Sequence, residues 1–417
     1  MAVEIVSIGT ELLNGLGRNT NADRIIEAMG EIGLPVHYVT TVGDDSTRLG
    51  EALRAAVHRV PAVITTGGLG PTPDDMTRKT IATVFRKRLV LDETVLAAIR
   101  ARFRDRGIEM PAINEGQALV PRGAQVIENL RGMAPGLHFT HQQTEIFVLP
   151  GVPAECEAML RHYVLPRLKA LGLGVLTGRR VVRTIGLSES LLAERLAGLE
   201  NDGGGAPLQI GYLPHSNGLD VTIAAGGGDP AWIAEALDRA EKRVVEAAGA
   251  AVYGRGSETL AQVVGEELRR RGLTLAVAES FTAGAMGAAI TSVPGSSRYF
   301  LGGCTAYSNR AKQQLLGVDP STLERAGAVS AEVAEQMASG ARARLEADLA
   351  ISSTGIAGPD GGSAEKPVGL CFLGIASADG VRSQRYVLGG AREEIAARAT
   401  SYALDLLRRH LLGGPRP

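Results

Sequence analysis

The hydrophobic and polar positions of the first 170 residues follow two alternating periods. Short apolar runs such as VEIVSIG, LPVHYVTTVG and PAVITTGG are typical of buried strands. Each run is followed by a helical pattern, which we place at about 19–31, 48–59 and 75–86. Strands separated by helices indicate βαβ crossovers and therefore a parallel sheet. The strand TEIFVLPG and a helix over 154–171 complete this region.

The pattern changes after about residue 172. Two adjacent strands, APLQIGYL and GLDVTIAA, predict a hairpin, and the helices on either side of it complete a small α+β module. The α/β alternation returns near residue 258, with the strands LTLAVA and DLAISSTG and a final helix over 391–412. We therefore predict two three-layer α/β domains joined by the small α+β module. The predicted bounds are 1–172, 173–254 and 255–417.

Composition and charge exclude several classes of function. With 44 basic residues, 45 acidic residues and 4% aromatic residues, the chain lacks the composition of a nucleic-acid-binding surface, so no nucleic-acid partner is expected. Its three cysteines are too far apart for a CxxC metal pair or a disulfide framework. No apolar run approaches the about 20 residues of a membrane span. We expect a cytoplasmic protein that has no membrane partner.

The segment TTGGLGPTPDDMT follows the predicted strand PAVITT. Ligands of open α/β sheets bind beyond the carboxyl ends of the strands. Gly67, Gly68 and Gly70 are able to adopt the positive φ angles that let backbone N–H groups approach a phosphate, and Thr72 adds a hydroxyl. We therefore expect a phosphate cradle here. It is not a P-loop, because the sequence contains no GxxxxGK[ST].

Carboxylates lie beside this cradle, where they would repel a phosphate. Asp74 and Asp75 either cap the next helix or bind a divalent cation that bridges to phosphate oxygens. Glu11 and Asn14 follow the first strand, and Asp44 follows the second. Because the carboxyl ends of parallel strands meet at one edge, these side chains indicate a metal-dependent site for a phosphorylated ligand.

In the last third of the chain, AVAESFTAG places Ser280 between a strand and a helix. This serine is either an N-cap or a nucleophile. The sequence contains no G-x-S-x-G elbow and no HExxH zinc motif. A serine nucleophile without histidine requires another base, and a lysine with a lowered pKa serves that purpose. Lys312 in CTAYSNRAKQQLLGV is the candidate, and a solvated helix lysine is the alternative interpretation.

Three further groups accompany this serine and lysine. Tyr307 lies five residues before the lysine and is able to donate or relay a hydrogen bond. The loop SSTGIAGPDGGS, which contains Thr354 and Gly355, offers glycines and hydroxyls for a phosphate or an oxyanion hole. Arg392 at the start of the last helix is able to bind a phosphate with its planar fork.

Four motifs of the first region, SIGTELLNGLGRNTN, TTGGLGPTPDDMT, ENLRGMAPG and LPGVPAE, resemble the N-terminal domain of the CinA family, a relative of molybdopterin-binding proteins of the MogA and MoeA type. The resemblance covers roughly residues 1–170. It implies an ADP-ribose pyrophosphatase that depends on Mg²⁺, Mn²⁺ or Co²⁺. The residues that it assigns to metal and phosphate handling are Glu11, Asn14, Asp44, Asp74 and Asp75.

The middle module of CinA proteins resembles a KH fold. The nucleic-acid-binding form of that fold needs a GxxG loop between two helices, and this chain has no clear one there. We therefore interpret the module as a spacer or a dimerisation element.

The motifs AESFTAG, CTAYSNRAKQQLLGV, GAVSAEVAEQMASGAR and STGIAGPDGGSAEKPVG resemble the C-terminal CinA domain, a nicotinamide mononucleotide deamidase family. The resemblance covers about residues 257–412. It implies hydrolysis of the nicotinamide amide to nicotinate mononucleotide and ammonia, without a metal. Ser280 is then the nucleophile and Lys312 its base, Tyr307 and Thr354 support the attack or the substrate, and Arg392 binds the phosphate.

Two departures from the family pattern lie next to these residues. The family usually reads E-S-C-T-G-G, whereas this chain has Phe281 and Ala283 in place of the cysteine and a glycine. We expect Phe281 to reshape the pocket wall and Ala283 to restrict the backbone at the helix start. The usual G-D-R before the last helix is G-G-A-R here, so Arg392 lacks an acidic neighbour.

The sequence thus predicts a bifunctional hydrolase of pyridine-nucleotide salvage, assembled as a homodimer, with ADP-ribose and nicotinamide mononucleotide as substrates. Two alternatives stay open. One is molybdopterin-cofactor binding or adenylyl transfer by the first domain. The other is a non-catalytic competence or DNA-repair factor.

Overall fold

The computed structural model describes residues 2–173, 177–202, 208–215, 218–227 and 229–413. The first two residues of the predicted strand APLQIGYL and the last four of the predicted third domain lie outside the described residues. The chain divides into two compact units, which are Met1–Gly178 with Gly226–Ile233, and Arg179–Ala225 with Ala234–Pro417.

The first unit is built on a six-stranded sheet in the order β2-β1-β3-β8-β7-β6. The first four strands in this order are parallel, as the alternation of apolar runs and helices predicts, and β7 and β6 add an antiparallel edge. A separate antiparallel pair joins β4 to β5. The strands are β1 (Val3–Ile8), β2 (Val36–Val42), β3 (Ala62–Thr66), β4 (Leu89–Leu91), β5 (Leu119–Pro121), β6 (Gln125–Ile127), β7 (Gly136–His141) and β8 (Thr144–Leu149).

Helices cover both faces of this sheet and give the predicted three layers. Alternate residues of a strand point to opposite faces, so Ile5 packs with Ile25 and Met29 on one side, while Val6 packs with Leu49 on the other. A π-helical stretch, Leu160–Val164, joins the last two helices. The helices are α1 (Thr10–Leu13), α2 (Thr20–Glu31), α3 (Ser46–Arg59), α4 (Thr77–Val84), α5 (Glu93–Asp105), α6 (Pro153–Met159) and α7 (Leu165–Ala170).

The second unit contains two sheets. A four-stranded sheet in the order β10-β11-β9-β12 includes the predicted hairpin, whose strands pair from Gln209–Ala224 to His215–Gly218. A five-stranded sheet follows in the order β14-β13-β15-β16-β17, with the first three strands parallel. The strands are β9 (Thr177–Ile185), β10 (Gln209–His215), β11 (Gly218–Gly226), β12 (Val252–Arg255), β13 (Leu275–Glu279), β14 (Phe300–Thr305), β15 (Leu349–Gly355), β16 (Leu370–Ser377) and β17 (Gly380–Val387).

The five-stranded sheet is also covered on both faces. Val277 and Ile351 pack with residues of α10, α11 and α15, whereas Ala276 and Ala350 pack against Met337 of α14. Within the described ranges, none of the helices combines the length and apolar composition needed to cross a bilayer. The helices are α8 (Glu189–Arg195), α9 (Pro230–Ala248), α10 (Leu260–Arg271), α11 (Ala285–Thr291), α12 (Asn309–Leu316), α13 (Pro320–Ala326), α14 (Ala331–Arg344) and α15 (Arg392–Leu411).

Candidate functional sites

The first candidate site lies at the carboxyl edge of the six-stranded sheet, where β1, β2, β3 and β8 end together. Backbone hydrogen bonds join the loops that leave these strands. The N–H of Gly9 donates to the carbonyl of Val42 at 3.0 Å, and the N–H of Gly67 donates to that of Leu149 at 3.1 Å. The loops after four strands therefore form one continuous surface at the position where ligands of such sheets bind.

The three glycines of the predicted cradle are required by close packing within the protein. Gly67 has φ of +110°, and a Cβ there would lie 2.1 Å from the carbonyl oxygen of Ile8. Gly68 has φ of +64°, and its Cβ would meet Thr77 Oγ1 at 2.1 Å. Gly70 does not have positive φ, but a Cβ there would lie 2.3 Å from Asp75 Oδ2. Larger residues would push this loop off β1 and α4.

Neither Asp74 nor Asp75 caps a helix. The predicted helix start at Asp75 is wrong by two residues, because α4 begins at Thr77 and its N-cap position is Met76, which has no side-chain acceptor. Asp75 Oδ2 instead accepts hydrogen bonds from the backbone N–H and the hydroxyl of Thr72, at 2.9 and 2.5 Å. The Asp75 carboxylate thus closes the loop over Thr72, and the Asp74 side chain is exposed.

Glu11, Asn14 and Asp44 lie at the ends of β1 and β2. Asp44 Oδ2 accepts the N–H of Thr10 at 2.9 Å, and Thr10 Oγ1 accepts the N–H of Asp44 at 3.0 Å. The Glu11 carboxylate folds over Gly9, where a Cβ would lie 2.4 Å from its Oε1. Asn14 ends α1 and is exposed. These residues therefore share one loop region, which the bonds between Thr10 and Asp44 hold together.

The predicted metal ligands do not form a closed cage. Among the residues that the structure describes, no three His, Cys, Asp or Glu side chains are grouped closely enough to hold a metal ion. Mg²⁺ is commonly held by only one or two carboxylates together with substrate phosphates and water. One or two of the carboxylates of Asp74, Asp75 and Glu11 would suffice for an ion of that kind; Asp74 is exposed, and the other two carboxylates lie against glycine backbone.

A cavity of about 420 Å³ adjoins the glycine loop. Its lining includes Gly68, Gly70 and Asp75 of the loop, and also Arg106, Arg131 and Glu155. The Arg131 segment is fixed by Asn129, whose side-chain oxygen accepts the N–H groups of Arg131 and Gly132 at 2.9 and 2.7 Å. Two arginines in a cavity beside an acidic loop are suited to a ligand that carries several negative charges.

A third arginine, Arg78, supports the glycine loop from inside the protein. It is buried, and its guanidinium donates to the carbonyl oxygens of Leu69 and Gly70 at 2.6 and 3.0 Å. Burial lowers the pKa of Arg78, although the nearby Asp75 carboxylate opposes that shift. Arg78 therefore fixes the loop backbone from the side opposite to solvent.

The second candidate site is built around Ser280 and Lys312. Lys312 is only 1% exposed, and its Nζ lies 2.9 Å from Ser280 Oγ. Its other two hydrogen bonds go to the carbonyl oxygens of Ala306 and Tyr307, at 2.9 and 3.1 Å. Burial lowers the pKa of Lys312 to about 8, so the solvated-lysine interpretation is wrong. A buried amine of this kind is able to act as a base for the serine.

Local structure explains how the lysine reaches the serine. Ser308 caps α12 by accepting the N–H of Ala311 at 3.1 Å, which places Lys312 in the first turn of that helix. Ser280 follows directly after β13 and is buried. It does not cap α11, whose N-cap position is Gly284.

The other predicted residues surround this pair. Arg392 donates to the Tyr307 hydroxyl at 2.9 Å and to the carbonyl of Gly358 at 2.7 Å, which leaves three of its five N–H donors for a ligand. The parallel register of β13 and β15 ends at the Ala278–Ser352 pair, two residues before Ser280 and Thr354, so both residues lie at the same edge of the sheet. Thr354 donates its hydroxyl proton to the carbonyl of Ala328 at 2.6 Å. Its hydroxyl is therefore able to accept a hydrogen bond from a ligand but not to donate one.

The residues that depart from the family pattern have clear structural consequences. Phe281 is buried in the core cluster with Met286 and Cys371, so its ring packs in the core. Ala283 has φ of +50°, a left-handed conformation that glycine adopts without strain. Ala391 is the N-cap of α15 and offers no side-chain acceptor. The Asp of the usual G-D-R motif would provide one at this position.

Comparison with known proteins identifies the family. The chain is 42% identical to a CinA-like protein of a Cyanothece species over 417 residues, which is 99% of each chain. It is 41% identical to a CinA-like protein of a Synechocystis species, again over 99% of both chains. The chain belongs to the CinA family. Sequence models of the probable molybdopterin binding domain, the CinA KH domain and the CinA C-terminal domain match residues 4–170, 179–254 and 257–411 of this CinA protein.

Solved structures resemble parts of this CinA protein. The competence/damage inducible protein CihA of Agrobacterium tumefaciens is 42% identical, over 36% of this chain and 91% of that chain, with a TM-score of 0.35. The protein CinA of Thermoplasma acidophilum is 33% identical, over 40% of this chain and 96% of that chain, with a TM-score of 0.37.

Several residues of this CinA protein were not predicted from the sequence. Arg106 and Arg131 line the cavity beside the glycine loop, and Arg78 supports that loop. Arg131 stands within ENLRGMAPG, one of the segments that carry the family resemblance, which is the signal that would have found it. Arg106 lies outside those segments, and no sequence pattern distinguishes it from other surface arginines. Glu279 precedes Ser280, and its buried carboxylate was also missed.

Proposed function

We propose that the chain is a bifunctional hydrolase of pyridine nucleotides. The C-terminal domain would deamidate nicotinamide mononucleotide to nicotinate mononucleotide and ammonia, and the N-terminal domain would hydrolyse ADP-ribose. The observation that carries the first activity is the 2.9 Å contact between Ser280 Oγ and a fully buried Lys312. A lysine in that environment loses its proton near pH 8, so it is partly neutral under physiological conditions.

The first half of the deamidation transfers the acyl group to the enzyme. Neutral Lys312 takes the hydroxyl proton of Ser280 while Ser280 Oγ attacks the carboxamide carbon, and the carbonyl electrons move to oxygen. The tetrahedral intermediate then collapses as Lys312 returns the proton to the amide nitrogen. The C–N bond breaks, ammonia leaves and an ester of Ser280 remains.

The second half releases the product acid. Water attacks the ester carbon, and Lys312 accepts the water proton. Lys312 then protonates Ser280 Oγ as the ester bond breaks, which regenerates the dyad and frees nicotinate mononucleotide. Arg392 would bind the substrate phosphate with the N–H donors that Tyr307 and Gly358 leave unused.

For the N-terminal domain we propose a pyrophosphate ligand at the glycine loop. A divalent cation held there by one or two of the carboxylates of Asp74, Asp75, Glu11 and Asp44, together with substrate oxygens, would neutralise phosphate charge and activate water. The protein itself supplies a fixed loop, two arginines that line the adjacent cavity and a polar edge of the sheet. Thr72 keeps the Asp75 carboxylate in place through two hydrogen bonds.

The expected homodimer stays a prediction.

The proposal is tested by measuring ammonia release from nicotinamide mononucleotide. We expect Ser280→Ala and Lys312→Ala to lower kcat at least about 10³-fold, because each removes a partner of the dyad. Lys366→Ala is the matched control, since the Nζ of this partly buried lysine donates to the carbonyls of Ala326 and Val329 and, among the described residues, has no bond to Ser280 or Lys312. Unchanged release in both dyad variants would refute the mechanism.

Molybdopterin is the alternative ligand of the N-terminal domain, because residues 4–170 match a probable molybdopterin binding domain. Titration of the chain with ADP-ribose and with molybdopterin, followed by product analysis, separates the two. Hydrolysis of ADP-ribose to AMP and ribose 5-phosphate supports the pyrophosphatase. Tight binding of the pterin, or formation of an adenylylated pterin with ATP, supports the alternative.

A further inference from the structure

Glu279 is a buried acid immediately before the proposed nucleophile. It is the last residue of β13 and is 2% exposed. A carboxylate buried at this depth is costly unless hydrogen bonds or a cation compensate for the lost water. Among the described side chains, no lysine, arginine or histidine forms an ion pair with Glu279. The compensation must therefore come from hydrogen bonds.

Four donors satisfy this carboxylate, and all of them follow it closely in sequence. Its Oε2 accepts the Thr282 hydroxyl at 2.8 Å, the N–H of Gly284 at 2.9 Å and the N–H of Met286 at 3.1 Å. Its Oε1 accepts the N–H of Gly287 at 2.9 Å. The chain between Glu279 and α11 is thus wrapped around one carboxylate, and Ser280 is the first residue of that turn.

The same network continues to the neighbouring strand. Thr282 Oγ1 donates to Glu279, so its 2.7 Å contact with Ser353 Oγ requires Ser353 to be the donor. Ser353 belongs to β15 and immediately precedes Thr354. The carboxylate of Glu279 therefore holds together the ends of β13 and β15, which provide Ser280 and Thr354 to the site.

Most of the backbone N–H groups of this turn are engaged. Those of Ala283 and Ala285 donate to the carbonyls of Ser280 and Thr282, at 3.2 and 3.0 Å. The Glu279 carboxylate accepts the N–H groups of Gly284, Met286 and Gly287, which have no backbone acceptor. Within the described part of the chain, the N–H groups of Ser280, Phe281 and Thr282 are left without an acceptor in this turn, and those of Phe281 and Thr282 follow the serine. The residue after a serine nucleophile is a usual oxyanion donor in hydrolases.

We propose that Glu279 is the positioning residue of the deamidase site. It fixes the turn in which Ser280 meets Lys312 and leaves the N–H groups of Phe281 and Thr282 to stabilise the oxyanion of the tetrahedral intermediate. This inference rests on the proposed amidohydrolase function. It assigns an oxyanion hole to the turn after Ser280, whereas the sequence indicated the loop that begins at Ser352.

The first test is Glu279→Gln in the full-length chain, assayed by ammonia release from nicotinamide mononucleotide. The amide places an NH₂ group against an N–H donor, so the turn loosens. Because loss of oxyanion-hole donors lowers kcat about 10²-fold, we expect a fall of roughly that size with KM changed by less than about 3-fold. The pH of half-maximal activity should stay in place, because Lys312 sets it. Wild-type kcat in the folded variant would overturn the proposal.

Thr259→Ala is the matched control for loss of stability alone. Thr259 caps α10 by accepting the N–H of Gln262 at 3.2 Å, and its removal should lower Tm by about 3 °C without affecting kcat. An equal loss of kcat in the Thr259 and Glu279 variants would overturn the positioning role. If Glu279→Gln does not fold, Thr282→Val and Thr282→Ser decide. Thr282→Val removes one hydrogen-bond donor to Glu279, whereas Thr282→Ser keeps it. The valine variant should therefore have a kcat about 10-fold lower than the serine variant. Equal kcat values would overturn the proposal.

A second readout separates this inference from the proposed function. A fluorophosphonate forms a bond from Ser280 Oγ to phosphorus, expels fluoride and delivers the serine proton to Lys312, with no amide substrate needed. If the wild type labels at Ser280 but releases no ammonia, the proposed function fails. The positioning role is then judged by labelling alone, where Glu279→Gln should react at least about 30-fold more slowly. Labelling at the wild-type rate would overturn it.

Discussion

The two candidate sites lie at equivalent positions of their sheets but hold their charges in opposite ways. Each is at the carboxyl end of parallel strands, next to a turn that contains glycines in left-handed conformations. In the C-terminal domain Lys312 is buried and contacts Ser280 directly. In the N-terminal domain the acidic groups are exposed or bonded to nearby backbone, and the buried cation is Arg78.

This difference indicates which site is complete before its ligand binds. The Ser280–Lys312 pair has its geometry and its lowered pKa in the protein alone. The acidic residues of the other site do not gather into a metal cluster among the described residues, so substrate oxygens would have to complete the coordination of any ion. The Ser280–Lys312 pair is preorganised by burial, whereas the proposed metal site would depend on its ligand.

Metal removal should break the comparison most sharply. Treatment of the full chain with EDTA should lower ADP-ribose hydrolysis at least about 10²-fold, because the proposed cation would carry several kcal/mol of charge stabilisation. Deamidation of nicotinamide mononucleotide in the same sample should change less than about 2-fold. Full ADP-ribose hydrolysis after chelation would show that Asp74 and Asp75 only shape the loop.

The pH dependence should follow the buried lysine. Lys312 must be neutral to act as a base, and burial lowers its pKa to about 8. Deamidation should therefore rise about tenfold per pH unit below pH 7 and level off above pH 9. The same shift makes folding more favourable as pH rises from about 8 towards the unfolded-state pKa near 10.4, because only the unfolded chain keeps the proton there. A flat kcat/KM profile between pH 6 and about 9 would contradict the role of Lys312.

Replacement of Arg392 should sharpen the assignment of the phosphate subsite. Arg392→Lys keeps the charge but loses the planar fork that contacts both Tyr307 and Gly358. We expect KM for nicotinamide mononucleotide to rise about 10-fold with kcat within about 3-fold. Nicotinamide riboside, which lacks the phosphate, is the control substrate. Its rate of deamidation should be the same with the wild type and with Arg392→Lys. An equal effect on both substrates would place the phosphate elsewhere.

The smallest expected effect concerns the backbone beside Ser280. Ala283 has φ of +50°, so Ala283→Gly should relieve strain and raise the free energy of unfolding by about 1 kcal/mol, or Tm by about 3 °C in calorimetry. Glu346 also has φ of +50°, and Glu346→Gly is the control at a site away from the dyad. A stability gain at Glu346 but none at Ala283 would show that Glu279 and its neighbours, rather than residue 283, determine the turn.

The sequence predicted the alternation of strands and helices, the parallel sheet of the first region and the hairpin of the middle module, because apolar periodicity and βαβ spacing are local properties. The sequence also predicted that Ser280 and Lys312 act as a nucleophile and its base, although that prediction depended on the family resemblance. It could not predict the true start of α4, because Asp75 bonds back to Thr72 and so withdraws from the helix. The contacts of Glu279 and Arg78 were missed because most of their partners are backbone groups, which leave no trace in residue identity.

Arg78 also determines which way the glycine loop presents its polar backbone. In a trans peptide the N–H points opposite to the C=O. Since the guanidinium binds the Leu69 carbonyl from within, the amide hydrogen of Gly70 is turned to the opposite side. An anion arriving at that loop would meet a donor aimed by a side chain that it never touches, so a substitution at position 78 would weaken its binding without removing a single direct contact.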